Sequence, residues 1–129
     1  MDKAQALYQF WSSFGIPAID EQSAYDKGTL DALNITFPYL SYETATDSFD
    51  TPVALSADLW YQSTSWAAIS QKADAISDYI GMGGRVIPYD NGAVWFTRGT
   101  PFAQRMAEDT GKDNIRRIHI NINAEFLSA

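Results

Sequence analysis

The chain has 129 residues, no cysteine, a net charge of −7, and 46% hydrophobic against 19% charged residues. That length suits one domain with a real core, and that balance excludes global disorder. The missing cysteines remove disulfides, thiolate metal sites and thiol nucleophiles and fit a reducing compartment, while the acidic excess speaks against general nucleic-acid affinity, which needs clustered Lys and Arg.

The first segment predicts a helix. Asp2 can cap it, and Leu7, Phe10, Trp11 and Phe14 follow at helical spacing, with Gly15 and Pro17 as the stop. No basic run followed by an apolar one marks a signal peptide here, and no apolar run reaches the roughly 20 residues that span a bilayer. Residues 18–36 have no clean period and read as an excursion from the core, with residues 20–36 a long loop. Residues 37–46 and 52–63 read as an antiparallel hairpin. In its second arm Val53, Leu55, Ala57 and Leu59 face one way and Asp58 and Trp60 the other. Trp66, Ile69, Ala73, Ile76 and Ile80 define a second amphipathic helix, capped by Ser63 or Thr64 and closed by Gly81, Gly83 and Gly84. Gln71, Lys72, Asp74 and Asp78 fall on or near its wet side.

Asn91-Gly92 signals a tight hairpin turn, and Pro88 marks its first arm as short or at an edge. Residues 98–114 read as a second long loop. A last strand alternates Ile118, Ile120, Ile122, Ala124 and Phe126 against Arg117, His119, Asn121, Asn123 and Glu125. The fold predicted is α+β: a single domain over residues 1–129, an antiparallel β-sheet built of β-hairpins, with both amphipathic helices packed on one face. Its expected core is Phe10, Trp11, Leu55, Leu59, Trp66, Ile69, Ile76, Ile118, Ile120 and Ile122.

Signals for chemistry are sparse. His119 is the one histidine. A catalytic role would need an orienting carboxylate, for which Glu43, Asp58 or Glu125 could serve, and a proton or nucleophile to move. No recognisable triad surrounds it, so it reads as a residue on a polar strand face, and His119→Ala is expected to be nearly neutral. No metal or cofactor is expected. The run "GMGGR" follows a helix, whereas a phosphate loop precedes one. Aromatics on the second sheet face, Trp60 among them, suggest that this face is covered too, by the chain itself or by a neighbouring subunit.

Charge is split along the chain. Residues 1–84 hold 3 basic and 11 acidic side chains, and residues 85–129 hold 6 and 5. Such a split is compatible with a surface that meets a complementary copy of itself.

Four stretches carry a resemblance: "ALYQFWSSFGIPA", then "FPYLSYETATDSFDTPVALSADLWYQSTSWAAISQKADAISDYIG", then "GAVWFTRGTPFAQRMAED" followed by "IRRIHININAEFL". Together they resemble the small tail terminator or tail-completion (minor tail) proteins of long-tailed phages and prophages. The likeness covers nearly the whole chain except residues 20–35 and includes no chemically diagnostic residue. It implies a structural, non-enzymatic protein that forms a hexameric ring. Such a ring caps the tail tube and offers a surface to the head–tail connector, and DNA passes through it without specific binding. The implied location is the virion tail or neck, and the host cytoplasm during assembly, with no membrane partner. Candidate interface residues are Phe49, Arg98, Phe102, Arg105, Met106, Arg117 and His119, with the arginines meeting acidic groups of a neighbouring copy. A head-side neck or head-completion protein is the alternative station. A small enzyme using His119 or a monomeric aromatic binding module are the remaining readings.

Overall fold

The computed structural model describes residues 1–21, 36–46, 51–106 and 114–128. Helix α1 (Lys3–Trp11) starts where the sequence places it. The Asp2 carboxylate accepts the Gln5 N–H, and the Gln5 side chain accepts the Asp2 N–H, each at 2.8 Å. This reciprocal box satisfies two donors that the helix itself leaves open. Leu7, Phe10 and Trp11 are fully buried, and Phe14 joins them from a short 3-10 turn at Ser12–Phe14. Gly15, at φ 79°, then turns the chain away.

Six strands form one sheet in the order β1-β2-β3-β6-β5-β4. They are β1 (Ala18–Asp20), β2 (Tyr39–Tyr42), β3 (Val53–Gln62), β4 (Arg85–Tyr89), β5 (Gly92–Met106) and β6 (Ile115–Ser128). The expected α+β architecture is present, but the sheet is mixed: β1 runs parallel to β2, with Ala18 opposite Leu40 and Asp20 opposite Tyr42. A parallel neighbour needs a crossover of a dozen or more residues, and the long segment between β1 and β2 supplies it. Three residues are too few to show a period of two, which is why β1 was not visible in the sequence.

Helix α2 (Ala67–Ile80) buries Ile69, Ala73, Ile76 and Ile80. Trp66 occupies the cap position instead of Ser63 or Thr64. The Ser65 hydroxyl accepts the Ala67 N–H at 3.0 Å. Trp66 is also only half-buried, and the Arg105 and Arg116 guanidiniums lie over its ring at 4.9 and 5.4 Å. The other nine residues expected in the core are buried. Lys72, near the wet side, is half-buried: its ammonium donates to the Phe14 carbonyl at 2.6 Å, tying α2 to the end of the first helical segment.

Both helices pack on one sheet face. Phe10 stacks on Phe96 of β5 at 4.2 Å, and Trp11 stacks on Tyr42 of β2 at 6.2 Å. One continuous core joins α1, α2 and the inward residues of β2 to β6. The β4–β5 hairpin turns on Asp90 and Asn91, with Asn91 at φ 66° and Gly92 already paired with Tyr89. A side chain at Gly92 would strike the Leu127 carbonyl, so glycine there serves close strand approach, one residue away from the turn centre.

The largest departure concerns residues 98–114. Of these, residues 98–106 are the second half of β5, paired with β6 through Met106 opposite Arg117. The register jumps from Arg98 opposite Ile122 to Ala103 opposite Ile120, so residues 99–102 form a wide bulge. The glycine and proline inside it made a distorted strand look like a loop. The 107–113 part of that expected loop, most of the 20–36 loop and the 47–50 hairpin tip lie outside the described residues.

Candidate functional site

The face of β6 that turns away from the helices has three different tasks along its length. At its start, Arg117 and His119 both serve Asp58 of β3. The Asp58 Oδ1 accepts the Arg117 Nε–H at 3.1 Å and pairs with His119 Nδ1 at 2.9 Å. A carboxylate can only accept, so His119 carries its hydrogen on Nδ1. Asp58 is 5% exposed, and two charge-assisted bonds compensate its burial. Arg117 also lies over the Trp60 ring at 5.1 Å, and Trp60 stacks on Tyr39 at 6.0 Å. The aromatic pair and the ion cluster thus cover one another. Among the described residues no hydroxyl bonds to the His119 ring, so Asp58 is found as the orienting carboxylate without a nucleophile beside it.

In the middle, Asn121 and Asn123 hold the β5 bulge. The Asn121 Nδ2 donates to the Pro101 carbonyl at 2.9 Å, and Asn123 Nδ2 reaches the Arg98 carbonyl at 3.4 Å. A side chain at Gly99 would come within 2.8 Å of Asn121, so the bulge needs glycine where it crosses β6. At the far end, Trp95 and Val86 form an exposed cross-strand pair. The Trp95 indole donates to the Gly83 carbonyl at 2.9 Å and rests against Gly84, whose φ is 87°. This uses the glycine run as a seat for a tryptophan and leaves no phosphate cradle.

Beyond Phe96, β4 no longer accompanies β5. Among the described residues no strand pairs with the outer edge of residues 97–106. Arg98 is exposed there, lining a cleft of about 330 Å³ with Gly81, Met82 and Thr97. Met82 is fully exposed. Arg105, on the same edge, is exposed and lies over Trp66. The stretch of residues 97–106 holds two arginines and no acid.

The opposite sheet edge is acidic. Asp20, Glu21, Glu43 and Thr44 line a cleft of about 480 Å³ beside β1 and β2. Thr44 donates to Asp20 at 2.6 Å, and Glu43 accepts the Ser56 N–H at 2.8 Å. Glu21 is exposed but close enough to the sheet for partial loss of water to raise its carboxyl pKa. The negative charges of Asp58 and Glu43 raise it further, and Arg117 and His119 pull it back in part.

The candidate interface residues therefore separate. Arg98 and Arg105 are on the open β5 edge. Phe102, expected to anchor a neighbour, instead packs partly buried against this chain's own core, and Met106 is half-buried opposite Arg117. Arg117 and His119 are engaged with Asp58. Phe49 lies outside the described residues. The sequence placed Asp20 and Glu21 in the 20–36 loop, itself a candidate contact segment, and a three-residue strand gave no sign that they stand at a sheet edge. No protein-family model and no curated protein sequence matches this chain.

Proposed function

We propose that this chain is a structural assembly protein of the phage tail-terminator kind. Copies join in a hexameric ring that caps the tail tube, faces the head–tail connector and lets DNA pass. The observation that carries this reading is the open β5 edge past β4, with Arg98 exposed and without an ion-pair partner among the described residues. A long strand with an unpartnered edge is a ready template for another chain, and a self-contained monomer usually protects such an edge. The resemblance of the chain outside residues 20–35 to tail terminators supplies the ring and its station. The acidic balance suits a ring through which DNA must slide, because like charge discourages sticking. No catalytic step is assigned, since the one histidine is spent on Asp58.

Sedimentation velocity over a wide concentration range, with electron microscopy of the products, tests the ring. Six-fold rings are expected, and tails assembled without a terminator should stop growing at normal length when the chain is added. A chain that stays monomeric throughout and leaves tail length uncontrolled would overturn the reading.

A further inference from the structure

We infer that Met82, on the loop between α2 and β4, is a modification site: a hydroperoxide oxidises its thioether to the sulfoxide, and the oxidised chain meets a neighbouring copy less tightly. The site itself stands on the single chain, and its effect on assembly rests on the ring reading above.

The chain has three methionines and no cysteine, so no thiol competes for an oxidant. Met82 is 100% exposed, against 39% for Met1, and Met106 is half-buried. A large apolar side chain wholly in water contributes nothing to the core. Its neighbours Gly81 and Gly83 have no side chains to screen the sulfur, and even a Cβ at Gly83 would meet nothing within 4 Å. The loop is tied at both ends. The Gly81 N–H donates to the Ser77 carbonyl at 3.0 Å, and the Trp95 indole donates to the Gly83 carbonyl at 2.9 Å. Oxidation follows access to the sulfur. A sulfur lone pair attacks the hydroxyl oxygen of the peroxide, an S–O bond forms and the O–O bond breaks. The sulfur loses two electrons. The hydroxyl proton passes to the departing oxygen, which leaves as water or an alcohol. An apolar side chain thus becomes a polar one with a strong acceptor. Arg98 lines the same cleft, its guanidinium only donates, and it has no ion-pair partner among the described residues. The new oxygen accepts from it. The open β5 edge loses an apolar contact, and its nearest arginine is drawn aside. Oxidation and assembly therefore oppose one another, and by linkage assembly shields Met82.

The test is limiting hydrogen peroxide on the dilute chain, peptide mapping by mass spectrometry, and then sedimentation velocity, with circular dichroism to confirm the fold. Met82 should be oxidised about threefold faster than Met1 and about tenfold faster than Met106. Peroxide should weaken self-association of the wild type about tenfold, and a methionine sulfoxide reductase with its thiol donor should restore it. The Met82→Leu variant has no sulfur there, so its own level of assembly should be the same before and after peroxide. Assembled chains should be oxidised at Met82 more slowly than dilute ones. The inference is wrong, while the ring reading stands, if Met1 or Met106 is oxidised first or if the wild type assembles as before once Met82 is oxidised. The same holds if the Met82→Leu variant loses assembly to peroxide as the wild type does. A wild type that is monomeric before treatment removes the ring reading, and the peptide map then decides the oxidation site alone.

Discussion

Asp58 is the residue with the most at stake on the helix-free face. Removing Arg117 leaves a buried carboxylate with His119 alone, and breaking such a pair is costly. Because Arg117 is 28% exposed, Arg117→Ala should cost about 2–3 kcal/mol, somewhat below a fully buried case. His119→Ala, which looked neutral from the sequence, should cost about 1 kcal/mol, the worth of one ordinary hydrogen bond. Urea unfolding of both variants checks the ranking, and an equal or reversed order would show that Asp58 depends mainly on the histidine. Tyr42 offers a second measurement. Burial first, then the negative charges of Asp20 and Tyr8, pushes its hydroxyl up to about 12. The raised value means that the folded state holds the proton more tightly than the unfolded chain does. Stability from this group is therefore complete below about pH 10 and is lost as pH rises from there toward about 12. Tyr42→Phe should flatten the part of the alkaline loss that Tyr42 contributes; Tyr61, also raised by burial, keeps its own share.

At the scale of elements, the β4–β5 hairpin depends on Gly84. Its φ is 87°, and an added Cβ would run into the Trp95 indole and lie 2.6 Å from the Phe96 carbonyl. Gly84→Ala should therefore cost more than the roughly 1 kcal/mol lost at an unstrained αL position, on the order of 2–3 kcal/mol, since strain and clash add. Trp95 fluorescence should report the loss of its fixed seat. Phe96→Ala removes the ring on which Phe10 stacks and should cost about 3–5 kcal/mol in thermal or denaturant unfolding. The hairpin turn and the two helices were legible because each repeats its signal over several residues: a glycine after an asparagine, or apolar residues at intervals of three and four. The bulge at residues 99–102 was not legible. Its stability comes from Asn121 and Asn123, some twenty residues later in the chain, and no local pattern announces such partners.

For the whole molecule, a ring contact made through the open β5 edge involves the exposed charges of Arg98 and Arg105. Such a contact is screened by salt, with a Debye length of about 10 Å at 0.1 M falling to about 3 Å at 1 M. Assembly should therefore weaken markedly between low salt and about 1 M sodium chloride, while the monomer's melting temperature changes little. Light scattering and circular dichroism on the same samples separate the two effects. Assembly that is unaffected or strengthened by salt would point to the apolar Trp95–Val86–Met82 end of the molecule as the seam.

The sequence by itself determined the elements whose physics is local. The α1 cap at Asp2, the stripe of Leu7, Phe10 and Trp11, the α2 face at Ile69, Ile76 and Ile80, and the inward isoleucines of β6 all follow from the period of the element that holds them. Burial then rewards each of these choices in the same direction. Tertiary structure decided what depends on residues far apart in the chain. It placed β1 parallel to β2, turned an apparent loop into the open half of β5, and gave His119 and Arg117 a common partner in Asp58. It also moved Phe102 from a presumed contact surface onto the core and set the acidic and basic residues on opposite edges of one sheet. The reason is the same in each case: strand order and register are chosen by pairing between distant segments, and a linear sequence carries no signal of which distant segment a strand will meet.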